Sequence, residues 1–263
     1  MKFACKAFSA LLVTGAMVAS AAQGAAPSAV ERVKKAGKLV IAIDATYPPM
    51  ESEGNDGKPV GFDIDFANEL AKRIGVKPEF VVMNWDGIFA GLDSKRYDII
   101  ISSMNITDER KKKVDFVEYV QMSQLFVAKK GVDVKSDKDL AGKVVAVQAD
   151  TTSAEFIDKA AKAGFKPKDV KQFKLATDVF SAVKAGQAEV IVIDEPVGRF
   201  YAQKDPATFV ITGLAMKPEP VGVAVRKDDG DLQKALQTAV DAMKKDGTIK
   251  KMSLTWFGGE LGV

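Results

Sequence analysis

Residues 102–110 read Ser102, Ser103, Met104, Asn105, Ile106, Thr107, Asp108, Glu109 and Arg110, and they place small hydroxyls just ahead of an arginine. They follow directly on the apolar run 97–101, so a buried strand empties into two small hydroxyls and then into a fresh helix start. The spacing predicts a helix over 107–112, whose first backbone N–H groups have no partner within the helix. Those N–H groups, the hydroxyls of Ser102 and Ser103 and the guanidinium of Arg110 form a wall suited to an anion. A carboxylate is the natural guest, because the planar fork of arginine can donate two parallel hydrogen bonds to it. By spacing alone Arg110 could equally pair at the surface with Asp108 or Glu109, a contact of little energetic weight.

The elements needed to hold such a wall are visible on either side of it. Apolar strand candidates alternate with helical patterns, the signature of an α/β protein with mostly parallel sheets. Residues 39–43 read as a strand, followed by Pro48-Pro49 and an Asn55-Asp56-Gly57 turn. Asp63 is then expected to cap a helix in which Ile64, Ala67, Leu70, Ala71 and Ile74 recur at helical spacing and Gly75 closes the end. A strand at 79–83, a short helix at 86–92 and a strand at 97–101 follow. From residue 121 the chain runs extended to 129. A second strand and helix series then begins at 144–147, 153–163, 176–185 and 190–193. After Pro218-Glu219-Pro220 come a strand at 221–225, a helix at 232–244 and a last helix carrying Ile249, Met252 and Trp256. Two lobes of like construction are therefore expected: 23–122 as the first part of lobe 1, 123–218 as lobe 2, and 219–263 as a return to lobe 1 with the C-terminal helices.

Composition narrows the function. The chain has 263 residues, 47% of them hydrophobic and 28% charged, enough for one large domain or for two lobes each with its own core. Residues 1–22 read as a signal peptide, with Lys2 and Lys6 ahead of a short apolar run and cleavage expected near Ala22-Gln23 or Gly24-Ala25. That run is too short for a comfortable membrane span, and the exported protein is expected to be soluble and not membrane-spanning. Cys5, the sole cysteine, lies inside the leader, so the exported chain has no thiol; histidine is absent altogether. Disulfides, thiolate metal sites and a Ser-His-Asp relay are thereby excluded, and the reading calls for no cofactor and no metal. Loss of the leader removes Lys2 and Lys6 and no acid, taking the formal charge from +3 to about +1. Nucleic acid is not the expected partner, and Lys111, Lys112 and Lys113 read as a solvated helix face. Asp228, Asp229 and Asp231 complement the dipole of the helix they precede. Glu51, Glu53, Asn55 and Asp56 have the composition of a calcium loop but the wrong glycine offset, and a hairpin turn explains them better.

Ligands of open α/β sheets bind beyond the carboxyl ends of the strands. Asp44 and Tyr47 follow the first strand, Trp85 the second, Ser102 to Arg110 the third, Gln148 to Thr152 the first strand of the second half, and Asp194 its later strand. Two lobes facing one another would bring all of these to one cleft. Each has a plainer alternative. Asp44 could cap a turn before Tyr47, Trp85 could be core, Asp194 could be an ordinary strand-terminal acid, and Thr151, Thr152 and Ser153 form a helix start on any reading.

The motifs Tyr47-Pro48-Pro49-Met50-Glu51, Gly61-Phe62-Asp63-Ile64-Asp65, Trp85-Asp86-Gly87, Asn105-Ile106-Thr107-Asp108-Glu109-Arg110, Ile193-Asp194 and Asp246-Gly247-Thr248 occur in order along nearly the whole chain. In that order and spacing the chain resembles the polar amino-acid family of bacterial extracellular solute-binding proteins, the receptors of ATP-driven importers. The resemblance implies a periplasmic-binding-protein-like, two-lobed monomer that closes on one free amino acid and presents it to a membrane permease. It implies that Arg110 clamps the substrate α-carboxylate with Ser103 and Asn105 from one lobe and Thr152 from the other. It also implies that Asp194 pairs with the α-ammonium, that Tyr47 and Trp85 wall the side chain, and that Asp44 reaches its far end. Ser102, Gln148 and the backbone of Thr151 complete the expected set. Asp150 departs from the glycine often found there and is expected to narrow the second-lobe side of the cleft.

The physics matches that division of roles, since a zwitterion buried in a closing cleft needs both charges paired. A polar amino acid is the expected ligand, with an acid and flat aromatic walls favouring a cationic side chain and an amide or opine fitting nearly as well. Two other functions compete. A few relatives of this fold are periplasmic cyclohexadienyl dehydratases, for which Asp44 or Asp194 would have to act on the ring. The closed form could instead signal through a membrane kinase or chemoreceptor.

Overall fold

The computed structural model describes residues 26–262, so the expected leader and its cleavage site lie outside the described residues. In chain order the elements are α1 (Ala29–Ala36), β1 (Lys38–Ile43), β2 (Thr46–Tyr47), β3 (Glu51–Glu53), β4 (Pro59–Val60), α2 (Phe62–Ile74), β5 (Lys77–Val82), α3 (Ile88–Asp93), β6 (Ile99–Ile100), α4 (Asp108–Lys113) and β7 (Val114–Lys129). The second half adds β8 (Val144–Gln148), α5 (Thr152–Lys162), β9 (Asp169–Phe173), α6 (Ala176–Lys184), β10 (Val190–Asp194), α7 (Glu195–Lys204), β11 (Phe209–Arg226), α8 (Gly230–Lys245) and α9 (Thr248–Phe257). One sheet runs β5-β1-β6-β11-β7-β10-β8-β9, and β2, β3 and β4 make a small second sheet.

Two parallel trios, β5-β1-β6 and β10-β8-β9, are joined by a long antiparallel ribbon of β7 and β11. Each lobe keeps a parallel trio, as expected, while the continuous sheet through the ribbon is mixed. One half of the ribbon pairs β11 with β6 and the other pairs β7 with β10, both antiparallel. Between them the register slips, at Met216/Glu219 and Val221/Gly222 opposite residues 118–124. Slips of this kind raise local twist and interrupt the ladder, which lets the two strands pass from one lobe to the other.

Local sequence accounts for most element ends. Ser28 and Glu31 form a capping box at α1, Thr107 caps α4 and Thr151 caps α5. Gly75 ends α2 at φ 88°, a left-handed position suited to glycine. The 55–57 turn stands as expected between β3 and β4, with Gly57 at φ 76°. Asp63 does not cap α2. Gly61 holds the cap position, and Asp63 lies in the first turn with its carboxylate facing inward to Ser103 and Tyr119. The chain also continues past Ile193 directly into α7, whose first turn takes Pro196, where the sequence reading has only a strand end. Asp229 is buried between Arg226 and Arg32, so its carboxylate is spent on ion pairs rather than on the helix dipole.

Candidate ligand-binding site

Between the trios lies a narrow polar cavity at the ends of the strands, the place where open α/β sheets bind ligands. Asp44, Tyr47, Trp85, Ser102, Ser103, Asn105, Arg110, Gln148, Thr151, Thr152 and Asp194 all line it, as the sequence reading places them, and Glu51, Gln124 and Ser153 join them.

Arg110 is brought in by the first turn of α4. Thr107 Oγ accepts the Arg110 N–H at 3.2 Å, which turns the side chain inward, where it is 8% exposed. Its guanidinium donates to the carbonyls of Asn105 at 2.9 Å and Asp150 at 3.2 Å and lies 5.3 Å from the Trp85 ring centre. Asp108 and Glu109 pair instead with Lys111 and Lys112. Among the described residues no carboxylate lies within 4.0 Å of Arg110, so a buried cation faces the cavity without a counter-ion. Burial lowers its pKa, opposed by Glu155 and Asp194 at longer range.

Asp194 is its complement on the opposite side. The carboxylate ends β10, is 3% exposed, and accepts the Tyr47 hydroxyl on Oδ2 at 2.9 Å. Oδ1 has no hydrogen-bond partner among the described residues. Burial pushes this carboxyl up to about 7, against the Tyr47 hydroxyl, nearby Gln124 and the charge of Arg110. A buried acceptor left bare is costly, and here it points at the place a donor would fill.

Between them Asn105 and Thr152 meet across the cavity. Thr152 Oγ1 donates to Asn105 Oδ1 at 3.1 Å and accepts from Gln124 at 2.7 Å, and Asn105 Nδ2 is a buried donor with no partner. Ser153 donates to Gln124 Oε1 at 2.9 Å, so β7 braces the N-terminus of α5. Thr151 spends its hydroxyl locally, accepting from Ala154 N–H and donating to the Gln148 carbonyl. Ser103 differs from expectation. Its hydroxyl and N–H both donate to Asp63 Oδ2, at 2.9 and 2.7 Å, so the donor expected for an anion is engaged by Asp63 at the cavity wall.

At the other end Gln148 Nε2 donates to Asp44 Oδ2 at 2.8 Å, and Thr46 donates to Asp44 Oδ1. Burial still raises the Asp44 pKa against those donors. Ser102 Oγ donates to Glu51 at 2.6 Å and accepts the Asp44 N–H. Asp150 does not narrow the cleft. It sits at φ 59° with its side chain exposed, while its carbonyl accepts from both Trp85 Nε1, at 3.0 Å, and Arg110. With the Lys174–Asp86 ion pair at 3.2 Å and the Ala176 N–H on Thr46, these bonds hold the two lobes closed on each other.

Glu51, Gln124 and Ser153 escape a reading based on strand ends. Glu51 looks like a hairpin acid, and Gln124 like an ordinary residue of the crossing strand. The signal available for Gln124 is a polar side chain amid the apolar run Leu125 to Ala128 that follows it.

A two-lobed α/β fold with a polar cavity at the crossing strands, lined by Arg110 on one side and Asp194 on the other, defines the class of two-lobed solute-binding proteins. Residues 39–259 match the family described as bacterial extracellular solute-binding proteins, family 3, and the chain belongs to that family. It is 36% identical over 233 residues to the L-cystine-binding protein TcyJ of Escherichia coli (strain K12), covering 88% of this chain and 86% of that one. Among solved structures, an ancestral arginine-binding protein bound to arginine matches with a TM-score of 0.80 and 42% identity, over 84% of this chain and 99% of that one. An ancestral amino-acid-binding protein described as a precursor of cyclohexadienyl dehydratase matches with a TM-score of 0.79 and 38% identity, over 88% of this chain and 100% of that one. The chain is thus a substrate-binding protein of the amino-acid importer class, and the dehydratase alternative has less support.

Proposed function

We propose that this chain is exported behind its leader to the periplasm, closes on one free polar L-amino acid, and delivers it as a monomer to the permease of an ATP-driven importer. The observation that carries the ligand assignment is the facing pair of Arg110, without a carboxylate, and Asp194, with a bare Oδ1. An α-carboxylate on Arg110 and Asn105 Nδ2, with an α-ammonium on Asp194, would satisfy all three groups together. The crossings of β7 and β11 supply the hinge, and their positions support the lobe boundaries near 122 and 218. Asp44 beside Tyr47 and Trp85 supports a cationic side chain, as does the arginine named in one structural relative.

A thermal-shift screen of the twenty amino acids with ornithine, citrulline and octopine tests the reading. A ligand at 100 times its Kd should raise stability by about 2.7 kcal/mol. Arg110→Ala should abolish that shift while leaving the ligand-free melt nearly unchanged. Amino-acid binding that survives the substitution, or a screen with no response, would refute the assignment.

A further inference from the structure

In the wall of the cavity Glu51 is backed by a second buried carboxyl, Asp63. The geometry of the pair follows from one glycine. Gly61 stands at φ 141° at the head of α2, where a Cβ would collide with the Met50 carbonyl. The Phe62 and Asp63 N–H groups donate to the carbonyls of Pro49 and Met50 at 3.1 and 2.9 Å, so the start of β3 lies directly on the first turn of α2. Glu51 is thereby pressed against Asp63, with 1% and 0% of each exposed.

The two carboxyls are supplied unequally. Asp63 accepts three hydrogen bonds, from Ser103 N–H, Ser103 Oγ and the Tyr119 hydroxyl at 2.7 Å, a set that favours its charged form. Glu51 lines the cavity, accepts one, from Ser102, and as the protonated partner donates its O–H to the Asp63 carboxylate it touches. No Lys or Arg among the described residues lies within 4.0 Å of either. The ionisable groups facing Glu51 are Asp44 at the end of β1, Tyr47 of β2, Asp63 of α2 and Tyr119 of β7, none of them cationic. Two buried carboxylates in contact cannot both ionise cheaply, and the better-supplied one keeps the charge. Burial, and then the Asp63 charge, hold the Glu51 carboxyl well above its ordinary value.

We propose that Glu51 is a specificity-determining residue that stands protonated in the ligand-free cleft and gives its proton to solvent when a ligand side chain ending in a cation reaches its carboxyl group. The O–H bond breaks, the proton passes to bulk buffer, and the cation takes its place against the carboxylate; a neutral side chain leaves the proton where it is. This rests on the reading of the chain as an amino-acid receptor, and it adds a mechanism by which cationic and amide ligands are told apart.

Calorimetry at pH 7.0 in phosphate and in imidazole, whose ionisation heats differ, counts protons released by L-arginine and by L-glutamine. Any proton lost from Asp194 is common to both ligands and cancels in the difference. Arginine should release about one proton more than glutamine, and Glu51→Gln should erase the difference while weakening arginine tenfold or more and glutamine less than threefold. Asp63→Asn, which removes the neighbouring charge, should shrink the difference without deleting Glu51. Equal release by the two ligands, or equal loss of both in Glu51→Gln, overturns the proposal.

A ligand-free arm separates the two ideas. Glu51 should keep its proton above the ordinary glutamate range in the native state only. Between those two pKa values the unfolding constant of the wild type should therefore rise tenfold per pH unit relative to Glu51→Gln. A flat difference overturns the protonated Glu51 whatever binds, whereas a sloped difference with no response to either amino acid refutes the receptor reading and the exchange built on it.

Discussion

Replacing Asp194 with asparagine should make the ligand-free protein more stable and the receptor useless. Asp194 titrates at about 7 against an ordinary 3.8, a gap of about 3 units. At 1.36 kcal/mol per unit, keeping the buried carboxylate charged above pH 7 costs the ligand-free closed form about 4 kcal/mol. The sign follows from proton counting. Between pH 3.8 and 7 the native state holds a proton that the unfolded chain has lost, so stability declines as pH rises through that window. Asparagine removes the charge and keeps an oxygen for the Tyr47 hydroxyl, but leaves its own amide without an acceptor at a cost of about 1–3 kcal/mol. The net at pH 8 is a gain of about 1–3 kcal/mol, reversing to a loss of about 1–3 kcal/mol near pH 4, where only the amide cost remains. Ligand binding should weaken by about 3–5 kcal/mol, because the substrate ammonium would be buried without a counter-ion. Urea denaturation from pH 4 to 8.5, with calorimetry of the best ligand from the screen, reads both effects. An asparagine variant less stable than wild type at pH 8, or one that retains its ligand, would refute the assignment of Asp194 as the ammonium partner.

Other consequences are closer to the lobes' contact. Trp85→Phe keeps a ring near Arg110 but loses the bond from Nε1 to the Asp150 carbonyl, so affinity should fall by about 1 kcal/mol with little change in the ligand-free melt, as read by calorimetry. Asp150→Gly should be near neutral, because its exposed side chain contributes no bond and its φ of 59° suits glycine; Asp150→Val should cost about 1–2 kcal/mol in urea melts and weaken binding by displacing the carbonyl that holds Arg110 and Trp85. Gly61→Ala should destabilise by about 3 kcal/mol in the same assay, since its Cβ meets backbone rather than a movable side chain.

Much of the molecule was legible along the chain because much of it is local. The cap hydroxyls of Thr107 and Thr151, the closing glycine of α2 and the buried strand runs act within a few residues of themselves, and the polar residues at strand ends fall where a parallel α/β sheet puts its ligands. Strand β9 and helix α7 were not legible. The run Asp169–Phe173 is mostly polar and becomes a strand by pairing with β8, and α7 forms where β10 ends against the ribbon.

The sequence by itself determined which kinds of group the cleft contains: one arginine at a helix start, acids at strand ends, aromatic walls, and neither thiol nor histidine. Only the tertiary structure decided which of them meet and which are left bare. Tyr47 reaches Asp194 across 147 residues and Gln148 reaches Asp44 across 104, pairings that exist because β7 and β11 carry the chain twice between the lobes. The same folding bound Ser103 to Asp63, set Glu51 beside that charge and made the Asp150 carbonyl, not its side chain, one of the points where the lobes join. Hydrogen-bond satisfaction and charge pairing depend on every neighbour a group has in space, and for buried groups most of those neighbours are distant in sequence.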